Sequence, residues 1–159
     1  MTSLIRIVVA GLALMAYPLV SAAQVPQSAL GTWKLNVAKS TYSPGPPPTS
    51  ITARQEAAPG GGMKVTADVV DATGKATQNE IVSMFDGKEA EFRGAAAPTT
   101  RAYSRVDDQT IQWVTRVNGK VTTTTRATVS ADNKTATLIT TGTGANGNPV
   151  NNTAVWDRQ

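Results

Sequence analysis

TIQWVTRVNGKVTTTTRATV, residues 110–129, decides the fold. Ile111, Trp113, Thr115 and Val117 alternate with Thr110, Gln112 and Arg116, a period of two that puts one apolar and one wet face on an extended strand. Asn118-Gly119 then supplies the positive φ that a tight hairpin needs, and a second β-branched run follows from Lys120. The Thr122 to Thr125 run reads as β-propensity on that strand rather than as a binding surface. Working outward, Trp33 and Leu35 alternate with Thr32 and Lys34, and Met63, Val65, Ala67 and Val69 with Lys64, Thr66 and Asp68. Turn chemistry separates such runs at Gly60-Gly61-Gly62, Thr73-Gly74, Asp86-Gly87, Asp107-Asp108, Asp132-Asn133 and Asn146-Gly147. About ten strands are predicted, beginning near Gly31, Ser50, Met63, Ala76, Glu89, Arg101, Thr110, Lys120, Thr135 and Val150. Sequential hairpins at that spacing predict an all-β fold, an up-and-down antiparallel β-barrel of about 8–10 strands.

Two segments break the pattern. Asn36 to Thr49 contains SPGPPP at 43–48, which excludes a helix or central strand and predicts a stiff polyproline-like connection across one end of the barrel. At the N-terminus, Arg6 precedes an apolar run from Ile7 to Val20 that ends in Ser21, Ala22 and Ala23, the three-part pattern of a secretory signal peptide. The run is shorter than the roughly 20 residues of a spanning helix, and nothing later is apolar enough to span. The expected organisation is a signal peptide over 1–23 and a single barrel domain over 24–159, secreted or periplasmic. With no cysteine after the run there is no lipid attachment site.

Composition limits the chemistry. The chain has no His and no Cys, so Ser-His-Asp and Cys-His arrangements, disulfides and the usual zinc and copper sites cannot be built. Stability must come from burial and the hydrogen-bond ladder, although Leu, Ile, Val and Phe make up only 22 of residues 24–159. The net charge of +4 comes from cations scattered singly, which is not a nucleic-acid footprint. Carboxylates remain as catalytic candidates: Asp68, Asp71, Glu80, Asp86, Glu89, Glu91, Asp107, Asp108, Asp132 and Asp157. Most fall in turns or on polar parity, where solvation keeps them ionised. The Gly142-Thr143-Gly144-Ala145-Asn146-Gly147 stretch matches G-x-G-x-x-G, but Asn148-Pro149 and another strand follow it where a dinucleotide site needs a helix. It reads as a hairpin loop. Asn133-Lys134-Thr135 and Asn151-Asn152-Thr153 match the glycosylation acceptor pattern and carry no weight without a known host. Neither catalysis, a cofactor nor a metal is predicted.

Gly31-Thr32-Trp33-Lys34-Leu35 opens the domain, and Val155-Trp156-Asp157-Arg158 closes it. This pairing resembles the calycin superfamily, the lipocalins and fatty-acid-binding proteins, whose first strand opens with G-x-W and whose last strand often lays a basic residue across that Trp. The resemblance implies an up-and-down barrel with Trp33 at its closed end and Arg158 as structural partner, a cation-π contact. The GTWKLN opening, the proline-rich segment and Asp86-Gly87-Lys88 are also similar to small exported bacterial domains of unassigned role. Departures are clear: Ala154 and Trp156 stand where fatty-acid-binding proteins carry the Arg-x-Tyr carboxylate clasp, and neither the helical lid nor lipocalin disulfides can form.

The interior is expected to be lined by Trp33, Leu35, Ile51, Met63, Val65, Val69, Ile111, Trp113, Leu138 and Trp156. Small residues at Ala53, Ala67, Ala102, Ala127, Ala136 and Ala154 either leave a cavity or let a flattened barrel close on itself. The functional expectation is a monomeric, lipocalin-like, non-enzymatic barrel binding or carrying a small apolar or amphipathic molecule. A structural or protein-interaction module of the cell envelope is the alternative. Arg101, Arg105 and Arg116 have opposite parity to their apolar neighbours and are expected to face solvent, which predicts weak head-group selectivity.

Overall fold

A computed structural model describes residues 24–159; the expected signal peptide lies outside the described residues. Ten strands follow one another: β1 (Gly31–Thr41), β2 (Ser50–Ala58), β3 (Gly62–Val70), β4 (Ala76–Ser83), β5 (Asp86–Glu91), β6 (Thr99–Arg105), β7 (Thr110–Val117), β8 (Lys120–Val129), β9 (Thr135–Thr143) and β10 (Pro149–Arg158). All are antiparallel to their neighbours in the order β4-β3-β2-β1-β10-β9-β8-β7-β6-β5. The first and last strands therefore meet inside the sheet, with Trp33 opposite Arg158 and Leu35 opposite Trp156. The sheet curls until its edges, β4 and β5, approach. They are joined by one bridge in which Glu80 and Arg93 exchange backbone hydrogen bonds of 3.1 and 2.9 Å. The result is a nearly closed up-and-down barrel, the fold class that alternation and turn chemistry predict.

The central hairpin forms as its sequence requires. Asn118 and Gly119 take φ of 50° and 76°, the pair of positive values that matches the twist of β7 and β8. Two boundaries differ from expectation. β1 continues to Thr41 through a bulge after Asn36, so the irregular connection covers only 42–49. Asp86-Gly87 lies inside β5, because Phe85, buried at φ 55°, makes the preceding turn and leaves Asp86 to start the strand.

One end of the barrel is plugged by residues 24–30, a short segment with a 3-10 turn at Gln27–Ala29. Val25 N–H donates to Gly61 O at 2.9 Å and the Ser28 hydroxyl to Asp108 O at 2.6 Å, tying the plug to the β2–β3 and β6–β7 turns. Val25 and Ala29 are the buried side chains of this plug and join the core beneath it. At the other end, the proline-rich loop is held to β10 by Asn151 N–H on Ser43 O and to β3 by Thr49 N–H on Val70 O. No helix among the described residues is long and apolar enough to cross a membrane.

Candidate functional site

The inward side chains form two buried clusters. One gathers Met63, Ile81, Phe85, Tyr103, Ile111 and Ala127; the other Trp33, Leu35, Ala53, Val129, Ala136, Ala154 and Trp156. Val65 and Leu138 touch both. The clusters do not fill the barrel, and a cavity of about 210 Å³ is bordered by residues of both. Of the ten predicted lining residues, Trp33, Ile51, Met63, Val65, Val69, Ile111, Trp113, Leu138 and Trp156 border it. Leu35 does not. It is inward and buried, but it packs into the second cluster opposite Trp156 and does not reach the void. Among the small residues, Ala53, Ala67, Ala127 and Ala136 line the cavity, while Ala102 and Ala154 do not.

Aromatic rings make the wall carried by β5–β7. Tyr103 and Trp113 sit opposite each other in register and stack with centroids 5.0 Å apart and planes at 24°. Phe85 meets Tyr103 edge-on at 5.9 Å. Phe92, just beyond β5, borders the same space. Into this wall comes Arg101, whose guanidinium carbon lies 3.8 Å from the Phe92 ring centre and 5.7 Å from that of Trp113. The expected solvent exposure of Arg101 is therefore overturned. β6 reads Thr-Thr-Arg-Ala-Tyr-Ser-Arg, and Tyr103, not Ala102, is buried and sets the inward parity. Arg105 shares that parity at the closed end, where it bonds Gln24 O at 3.1 Å and pairs with Asp108. Arg116 has outward parity and pairs with Glu89 at 3.4 Å.

What distinguishes Arg101 among the arginines of the described residues is a buried guanidinium nitrogen without a partner. Among the described residues no carboxylate pairs with it, and its Nε is buried with no hydrogen bond. Gln55 Oε1 and Trp156 Nε1 are buried without partners as well, and all three residues line the same cavity. The other such atom among the described residues, Ser83 Oγ, belongs to a residue outside the lining. Native folds satisfy nearly all buried polar groups, so three orphans around one void mark that void as unusual.

The closed end shows the contrary arrangement. Arg158 lies 4.3 Å over Trp33 and donates from Nε, Nη1 and Nη2 to the carbonyls of Asn133, Leu30 and Ser28, each at 2.6 Å. Trp33 Nε1–H donates to Ala29 O at 3.0 Å. No family model, curated protein or solved structure matches this chain. Its chemistry must be read from these side chains.

No Asp or Glu among the described residues borders the cavity. The turn aspartates are structural. The Thr73 hydroxyl, then the N–H groups of Lys75 and Thr73, hold Asp71 below the ordinary carboxylate range. Asp107 is lowered chiefly by the Gln109 N–H, and Asp132 by the Ser130 hydroxyl and the Lys134 N–H. A general acid needs the opposite shift. Period-two alternation does not mark Arg101, Gln55, Tyr103 and Phe92 as lining residues; Tyr103, with by far the most apolar area to bury on β6, is the signal the sequence carries.

Proposed function

We propose that this chain is an exported, non-catalytic, lipocalin-like barrel that binds a small amphipathic molecule in its interior. One observation carries the reading: an apolar cavity of about 210 Å³ keeps three buried polar atoms, on Gln55, Arg101 and Trp156, without partners. A buried unsatisfied group costs about 1–3 kcal/mol, more when charged. Leucine or methionine at these positions would avoid that cost and fill the space. A ligand with polar groups on an apolar body compensates all three. Binding rather than turnover fits a lining without Asp or Glu in a chain without His or Cys. The stacking of Arg158 on Trp33 is the arrangement that the calycin resemblance implies.

The interaction-module alternative draws no comparable support. The exposed large apolar residues, Val82, Met84, Val106, Val121 and Ile139, are spread over β4, two turns, β8 and β9. Tryptophan fluorescence tests the binding reading, since all three indoles border the cavity. A panel of aromatic acids, short fatty acids, retinoids and neutral aromatic metabolites should contain members that quench or shift emission at micromolar concentration. A panel without effect would discard the carrier reading in favour of the interaction module.

A further inference from the structure

We infer that the ligand is a compact organic anion: one carboxylate on an apolar body of about one ring, with Arg101 binding the charge. This rests on the interior being a binding site and goes beyond it by fixing size and charge. Size comes from the void. An apolar cavity of about 150 Å³ accepts one benzene molecule, whereas pockets for drug-sized ligands begin near 300 Å³. At about 210 Å³ the interior holds one ring and a few further atoms, and a long-chain lipid does not fit.

Charge comes from Arg101. A guanidinium keeps its proton at any physiological pH, so Arg101 brings a permanent positive charge to a wall of Phe92, Trp113 and Tyr103. Stacking on Phe92 covers the face of the guanidinium and leaves its N–H donors free in the plane. That fork matches a carboxylate bidentately. Arg101 is the one arginine among the described residues that borders the cavity, and the arginines of the closed end are already engaged: Arg158 by three carbonyls and Arg105 by Asp108 and Gln24. Body shape comes from the stacked Tyr103–Trp113 wall, which presents a flat aromatic surface to a cavity in which Ala53, Ala67 and Ala127 leave room among larger side chains such as Met63, Leu138 and Trp156. A planar ring fits between them.

The test titrates the purified protein with phenylacetate, its uncharged isostere phenylacetamide, and palmitate, for the parent and for Arg101→Met and Arg101→Lys. Phenylacetate should bind about tenfold or more tightly than phenylacetamide, the value of a hydrogen bond to a charged group. Arg101→Met should erase that ratio by weakening phenylacetate alone, and Arg101→Lys should restore part of it. Circular dichroism and retained phenylacetamide binding report that the variants are folded. Equal affinity for phenylacetate and phenylacetamide, indifferent to Arg101, overturns the charge assignment and leaves the binding function standing. Palmitate binding in place of phenylacetate overturns the size assignment in the same way. Failure of all three probes overturns this inference, and the wider panel then decides the binding function separately.

Discussion

Arg158 and Arg101 both lie on aromatic rings inside one barrel, 4.3 Å from Trp33 and 3.8 Å from Phe92. Arg158 gives all three of its guanidinium nitrogens to carbonyls of the plug and of the β8–β9 turn, and so ties residues 24–30 to the last strand. Arg101 has no carboxylate partner among the described residues, a buried Nε with no acceptor, and a void beside it. The same residue type in a similar stacking geometry is used in two ways: satisfied polar groups close the fold, and on the proposed reading the unsatisfied ones are kept to meet a ligand. The proposed binding function thus implies a separation of roles between the two arginines, Arg158 for stability and Arg101 for binding.

Substitutions can break that separation. Trp33→Ala removes the largest side chain at the closed end and should cost about 3–5 kcal/mol, read from a urea denaturation midpoint. Trp113→Ala, at a half-buried ring on the cavity wall, should cost clearly less; equal losses would mean that the two regions do not differ. Arg158→Met should cost about 2–3 kcal/mol, because it leaves three carbonyls without their charged donor and removes a cation-π contact. Arg101→Met should change stability by less than about 0.5 kcal/mol or increase it, since a half-buried guanidinium whose buried Nε has no acceptor is replaced by apolar volume. A loss at Arg101 as large as that at Arg158 would show that Arg101 holds the fold together.

Acid sharpens the comparison further. Asp107 and Asp132 shape turns at the closed end, and their carboxyls titrate below the ordinary range in the fold. Groups with a depressed folded pKa stabilise the native state above their unfolded value, about 3.9, and lose that contribution as pH falls through the folded value. The denaturation midpoint should therefore fall between about pH 4 and the lower folded values. Asp132→Asn should flatten that limb, whereas Arg101→Met should leave it unchanged. The smallest effect is expected from filling the void: Ala127→Leu should hold or raise stability by about 0.5 kcal/mol while abolishing interior binding. A cost above about 1 kcal/mol would indicate overpacking and a smaller space.

The fold was readable because its determinants are local. Period-two alternation and turn residues such as Asn118-Gly119 act within a few residues, and they placed strand starts at Gly31, Ser50, Ala76, Thr110, Lys120 and Thr135. Where a residue such as Gly could serve either a turn or a bulge, as at Asp86-Gly87, the decision fell to the burial of Phe85, a tertiary matter. Most of the cavity lining followed from parity. Arg101 escapes a local reading because β6 offers two apolar residues of opposite parity, and taking Ala102 as inward in place of the larger Tyr103 turns the strand inside out. Whether the barrel would be filled or hollow depends on side-chain volume summed over ten strands, which no single stretch contains. The plug over 24–30 carries no periodicity, and only its contacts reveal it.

The three indole N–H resonances test the division most directly, because Trp33 Nε1–H is bonded to Ala29 O whereas Trp156 Nε1–H is buried with no acceptor. In two-dimensional ¹H–¹⁵N spectra, phenylacetate should move the Trp156 and Trp113 signals progressively and leave that of Trp33 nearly in place. Three signals that stay fixed, or a Trp33 signal that moves as far as that of Trp156, would contradict the account.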